Sequence, residues 1–134
     1  MITNFKKSNE LRKKAADLIP GGAHTYSKGD DQFPQLSPHS IVKGKGARIW
    51  DVDGNEFVDW GMGLTSVLLG HAYEPIIDVI KQELDNGVNF IRPSFIEAEV
   101  AEIITQQIPS AEMVKFAKNG SNATTSAVKL ARAY

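Results

Sequence analysis

Apolar positions recur along this chain with two periods, and each period predicts a different kind of element. Leu11, Ala15 and Leu18 repeat at spacings of four and three, with Lys and Arg between them, which predicts an amphipathic helix over residues 5–19. Pro20-Gly21-Gly22 stops it. Residues 20–39 carry Pro20, Pro34 and Pro38 among Gly, Asp and Ser and read as a loop. Three short β-prone runs follow, Ser40–Lys43, Ala47–Asp51 and Glu56–Asp59. Asp53-Gly54 between the last two is a hairpin signal, because glycine takes positive φ without a steric cost. Gly44 and Gly46 mark the preceding turn. The runs together predict a small antiparallel meander.

Helical periodicity then returns. Gly61–Ser66 reads as a flexible loop of small residues, and Pro75–Asp85 as a helix with Ile76, Ile80 and Leu84 on one face. Ser94-x-x-Glu97 fits a capping box at the start of a second helix, continued by Val100, Ile103, Ile104 and Gln107 and ended by Pro109. Met113–Lys118 is a short apolar run expected as a strand. Asn119-Gly120-Ser121-Asn122 is expected as a turn and Ala123–Tyr134 as a helix, with Ala123, Ala127, Leu130 and Tyr134 on one face. A strand followed by a helix resembles the first half of a βαβ unit, whose returning parallel strand is not in the sequence.

Composition narrows the function classes. The 134 residues hold 15 Lys plus Arg against 16 Asp plus Glu, a net charge of −1, without the basic excess of a nucleic-acid or polybasic membrane binder. Hydrophobic residues at 42% and charged residues at 23% are those of a globular protein. There is no cysteine, so disulfides, thiolate metal sites and a cysteine nucleophile are excluded. His24, His39 and His71 form no HxxxH pair, and Asp51, Asp53 and Asp59 read as turn and strand-end residues, so no metal site is expected. No apolar run approaches the roughly 20 residues of a membrane span, and the expected location is cytoplasmic.

The clearest chemical signal is the turn Lys118-Asn119-Gly120-Ser121-Asn122 between strand and helix. Unpaired amides at a helix N-terminus, together with the helix dipole, suit a phosphate. The same residues also serve as a plain N-cap. Lys28, in a loop with His24, Thr25 and Tyr26, is a candidate for a substrate carboxylate or phosphate, or else a solvated loop lysine. His24 and His71 are candidate acid–base groups; His71, just before a helix, also fits a capping or packing role.

Five stretches, in this order, resemble the N-terminal part of the class III aminotransferases, in particular the glutamate-1-semialdehyde 2,1-aminomutase-like branch. They are Asp17-Leu18-Ile19-Pro20-Gly21-Gly22; Trp50 through Asp59; Leu69-Gly70-His71; Glu97-x-Glu99-Val100-Ala101-Glu102; and Val114–Ala123 leading into Ala127–Arg132. The resemblance implies an α/β fold, the N-terminal segment of a fold-type I pyridoxal-phosphate (PLP) transferase: a small antiparallel meander, helices, and the first strand and helix of the large domain. It divides the chain into residues 1–72, the N-terminal helix, loop and meander, and residues 73–134, the start of the PLP-binding domain.

By the same resemblance, Gly120, Ser121 and Asn122 occupy the turn that wraps the PLP phosphate. Gly120 and Ser121 keep the family's glycine and hydroxyl, whereas Asn122 stands where the family usually has an acid. Lys28 lies near the family's substrate-binding arginine. Gly63-Leu64 stands where the aminomutases often carry Ser-Trp. The Schiff-base lysine and the Asp that pairs with the pyridine nitrogen belong to family segments beyond Tyr134, so no catalytic residue is assigned within this chain. The resemblance thus implies the N-terminal fragment of an enzyme that moves an amino group between small-molecule donor and acceptor, or migrates it within one substrate, working as a homodimer. The alternative is a non-catalytic, truncated binding or interaction module derived from that family.

Overall fold

The computed structural model describes residues 4–134, which fall into two compact units, one reaching to Asn86 and one spanning Gly87–Tyr134. In the first, helix α1 covers Lys6–Leu18 and stops where Ile19, ahead of Pro20, turns extended (φ −129°, ψ 120°). Single turns of 3-10 helix at Pro20–Gly22, Tyr26–Lys28 and Asp30–Gln32 carry the chain through the loop. Strands β1 (Ile41–Lys45), β2 (Arg48–Asp51) and β3 (Glu56–Val58) form an antiparallel meander in the order β1-β2-β3. Gly44 faces Ile49, and Ile49 in turn faces Phe57. Helix α2 spans Glu74–Asp85, with Pro75 in its first turn.

The β2–β3 hairpin forms as its Asp-Gly pair predicts: Gly54 has φ 85° and donates to the Asp51 carbonyl at 3.1 Å. Asp53 does more than turn the chain. Its carboxylate accepts the amides of Lys7 (2.9 Å) and Ser8 (2.8 Å), the second and third residues of α1. Phe5, at the N-cap, has no side-chain oxygen to do this. A hairpin residue remote in sequence therefore caps α1 and fixes it to the sheet. Ser8, fully buried, adds a second tie by accepting the His39 amide at 2.6 Å.

In the second unit, α3 (Phe95–Gln107) starts with the expected capping box of Ser94 and Glu97, and α4 spans Gly120–Ala133. Three expectations need correction. Residues 113–118 form no strand: among the described residues no backbone hydrogen bond reaches them, and a strand exists only through a ladder partner. The segment instead lines a cleft of about 360 Å3, Val114 and Phe116 lying opposite Ala98 and Ala101. The last helix begins at Gly120 rather than Ala123, because Asn119, not a later residue of the turn, is its N-cap. Gly44 belongs to β1 rather than to the turn, which Gly46 makes at φ 55°.

Burial is sparse. Phe5 is the one buried hydrophobic residue among those described, and Trp60, Ile91 and Met113 are almost fully exposed. The chain exposes 11502 Å2, whereas two separate folded units of these sizes would expose roughly 8,000 Å2 by area–mass scaling. Large hydrophobic side chains are exposed on every α-helix, among them Leu18, Val79, Ile103 and Leu130, and exposed apolar surface of this kind favours association. The 134-residue chain in solution should therefore bind a hydrophobic-site dye and sediment as an associated species. A dilute monomer with a sharp unfolding transition and no dye binding would contradict this.

Candidate functional site

At the start of α4, the Asn119 side chain accepts the Asn122 amide at 2.9 Å, and the Asn119 carbonyl accepts the Ala123 amide at 3.0 Å. The amides of Gly120 and Ser121 have no partner among the described residues. Gly120 has open space where a Cβ would stand, and the first turn carries no acidic residue. Two outward amides, the Ser121 hydroxyl and the positive end of a 14-residue helix fit an anion such as a phosphate. Asn122 stands apart from this pair, since its amide is used by the cap.

In the first unit, Lys28 and His24 line one cavity of about 500 Å3, joined by Lys14 and His39 over an apolar wall that includes Leu11 and Leu18. No carboxylate lines it. Asp30, which meets the lining residue His39, is held by His39 Nδ1 at 3.2 Å and Arg12 Nε at 3.0 Å. Burial pushes the Asp30 carboxyl up, but the hydrogen bond with His39 and the charge of the paired Arg12 outweigh it and hold the group below its ordinary value. The cavity is thus lined by cationic and titratable basic groups, which suits an anion with an apolar body.

His71, a candidate acid–base group by sequence, is instead a tie between elements. Its backbone exchanges two hydrogen bonds with Gly46, at 2.8 and 2.9 Å, and its Nε2 lies 2.6 Å from Asp59 Oδ2. Asp59 Oδ1 accepts the amides of Gly61 and Met62, each at 3.0 Å. The His71 hydrogen bond draws the Asp59 carboxyl below its ordinary value against the opposing effect of burial, and the Met62 and Gly61 amides assist. Between these ties the loop is strained rather than merely small-residued. Met62, Gly63, Leu64 and Thr65 all have positive φ, 41° to 68°, where a non-glycine residue costs about 1–2 kcal/mol. A β-branched threonine at φ 68° is an outlier of a kind that clusters at functional sites.

Comparison with known proteins places the chain in a family. A family model described as class-III aminotransferase matches residues 26–134. The chain belongs to the class III aminotransferase family. A glutamate-1-semialdehyde 2,1-aminomutase of Fusobacterium nucleatum is 40% identical over 97% of this chain and 30% of its own length. An omega-transaminase of Sphaerobacter thermophilus superposes with a TM-score of 0.85 at 32% identity, over 95% of this chain and 28% of the other. A transaminase solved with PLP bound superposes with a TM-score of 0.88 at 31% identity, over 99% of this chain and 30% of the other. The chain thus spans about 30% of the length of the curated relatives it matches, and its fold is that of the N-terminal segment of these fold-type I transaminases.

In this class III aminotransferase chain, the sequence singles out the α4 turn and Lys28 as candidates but gives no sign of the ties made by Asp53 and Asp59. Both look like ordinary turn or strand-end residues, and the partners that tie them to other elements, Lys7 and Ser8 for Asp53 and His71 for Asp59, lie 12 to 46 positions away. Among the described residues no group of three or more His, Cys, Asp or Glu side chains could hold a metal ion, and no helix is long and apolar enough to cross a membrane.

Proposed function

We propose that this chain supplies the phosphate-binding turn and part of the substrate wall of a PLP-dependent class III aminotransferase or aminomutase. The observation that carries the reading is the pair of open amides at Gly120 and Ser121, on a long helix without acid in its first turn. When bound, PLP supplies an electron sink for chemistry at the carbon bearing the amino group. This chain's residues anchor and orient it. Gly120 and Ser121 donate amides, and Ser121 adds a hydroxyl, to the phosphate oxygens. Asn122 shapes the turn through its bond to Asn119. Lys28 holds a carboxylate of the small-molecule donor or acceptor, as a single point charge rather than a bidentate fork.

In this reading residues 1–72 form the N-terminal helix, loop and meander, and residues 73–134 begin the PLP-binding domain. The enzyme works as a cytoplasmic homodimer, and the choice between transamination and 2,1-migration depends on the substrate wall. Family membership and the names of the relatives support the PLP-dependent amino-transfer chemistry of this reading. Ser121→Ala should weaken PLP binding to the chain about fivefold, the equivalent of one net hydrogen bond near 1 kcal/mol. Equilibrium dialysis against PLP would measure it. Unchanged affinity would return the turn to a plain helix cap.

A further inference from the structure

We infer that Asp59 and His71 are a positioning pair, which holds the 60–70 loop in its left-handed conformation. One carboxylate serves both ends of the loop: Oδ1 takes the amides of Gly61 and Met62 at the entrance, and Oδ2 takes His71 at the exit. A packing role for His71 would not need this, because the double backbone bond to Gly46 already fixes that residue to the turn between β1 and β2. What the carboxylate adds is control of the segment between, where four consecutive residues are left-handed. Local bonds alone, such as Leu64 to the Gly61 carbonyl and Val67 to the Met62 carbonyl, close the turn but do not anchor it to the sheet.

The pair is also electrically isolated enough to act on its own. Asp59 and His71 are the titratable groups lining the cavity of about 240 Å3 inside the loop, whose other walls include Met62, Val67 and Leu68. On the far side of His71 lie Lys45, Tyr73 and Glu74, and Lys45 and Glu74 neutralise each other at 2.6 Å. A carboxylate only accepts hydrogen bonds, so His71 donates to Asp59 from a protonated Nε2.

Hydrogen exchange and nitrogen NMR of the histidine rings, on the 134-residue chain without PLP, test the inference. Asp59→Ala should speed exchange at the Leu64 and Val67 amides about tenfold or more while Ile49 and Phe57 stay near wild type. In Asp59→Asn, the amide oxygen still takes the loop amides, but its NH2 faces the ring, so the His71 proton should move from Nε2 to Nδ1. Wild-type loop protection should hold above the ordinary carboxylate range and weaken as pH falls through the depressed Asp59 value. Unchanged loop exchange in Asp59→Ala, or equal acceleration in the sheet, would overturn the positioning role. So would a His71 ring still protonated on Nε2 in Asp59→Asn, an arm that stands even if the alanine variant does not fold. Because no cofactor is present, failure here leaves the Ser121 result standing, and failure of PLP binding leaves this one standing.

Discussion

Asp51→Ala should destabilise the first unit by about 3–5 kcal/mol, the largest effect expected of any single side chain in it. Asp51 is 1% exposed. Its Oδ1 accepts the amides of Asp53 at 3.0 Å and Asn55 at 2.7 Å, and its Oδ2 accepts the Asn55 side chain at 2.7 Å. Truncation leaves two turn amides and one side-chain donor without their acceptor in a part-buried site, and such donors cost the full desolvation penalty. The loss propagates, because the same turn carries the Asp53 carboxylate that caps α1 and the Asn55 amide that reaches the Asn4 carbonyl. Asp51→Asn keeps the size and one acceptor but sets two NH2 groups against each other; it should cost less, about 1–2 kcal/mol. Amide hydrogen exchange across the β2–β3 turn and the start of α1 would rank the two. An alanine variant within about 0.5 kcal/mol of wild type, the range of ordinary surface substitutions, would mean that water replaces the carboxylate.

What the sequence made legible follows from how local each cause is. The capping box of Ser94 and Glu97, the Asp53-Gly54 turn and the proline that stops α1 act within a few residues, and all three form. The helix stripes are equally local. The strand expected over 113–118 is a different kind of claim, since its β-propensity becomes a strand only beside a partner, and none is present among the described residues. The misplaced start of α4 has a subtler origin. Asn119, Ser121 and Asn122 are all good caps by type, and the choice of Asn119 depends on backbone geometry that composition does not encode. The site shows the same division. Gly120 and Ser121 stand out as candidates because the turn that holds them is a contiguous motif. The Lys14, His24, Lys28 and His39 cavity and the Asp59–His71 tie were not, because they gather residues from separate segments.

Gly44→Ala should cost about 2–3 kcal/mol, as overpacking does, and should release the 60–70 loop as well. A methyl group at Gly44 would lie 2.6 Å from His71 Cγ, 2.8 Å from its Cβ and 2.9 Å from its Nδ1. Three bonds prevent the ring from retreating: two to the Gly46 backbone and one to Asp59. The strand cannot retreat either, because Gly44 is paired with Ile49 in the meander. Alanine in a strand is ordinarily favoured over glycine by roughly 0.5–1 kcal/mol, so the sign of the change identifies the winner: a loss of stability means that steric exclusion by His71 outweighs the backbone gain. Removing the ring should reverse that balance. The double variant Gly44→Ala with His71→Ala should be less destabilised than the sum of its two single variants, because the methyl then enters the space the imidazole leaves. Amide exchange at Leu64 and Val67 should accelerate in Gly44→Ala and track the displacement of His71 from Asp59. Strict additivity in the cycle, with loop exchange unchanged in Gly44→Ala, would show that the strand and the loop exit are not in mechanical contact through this histidine.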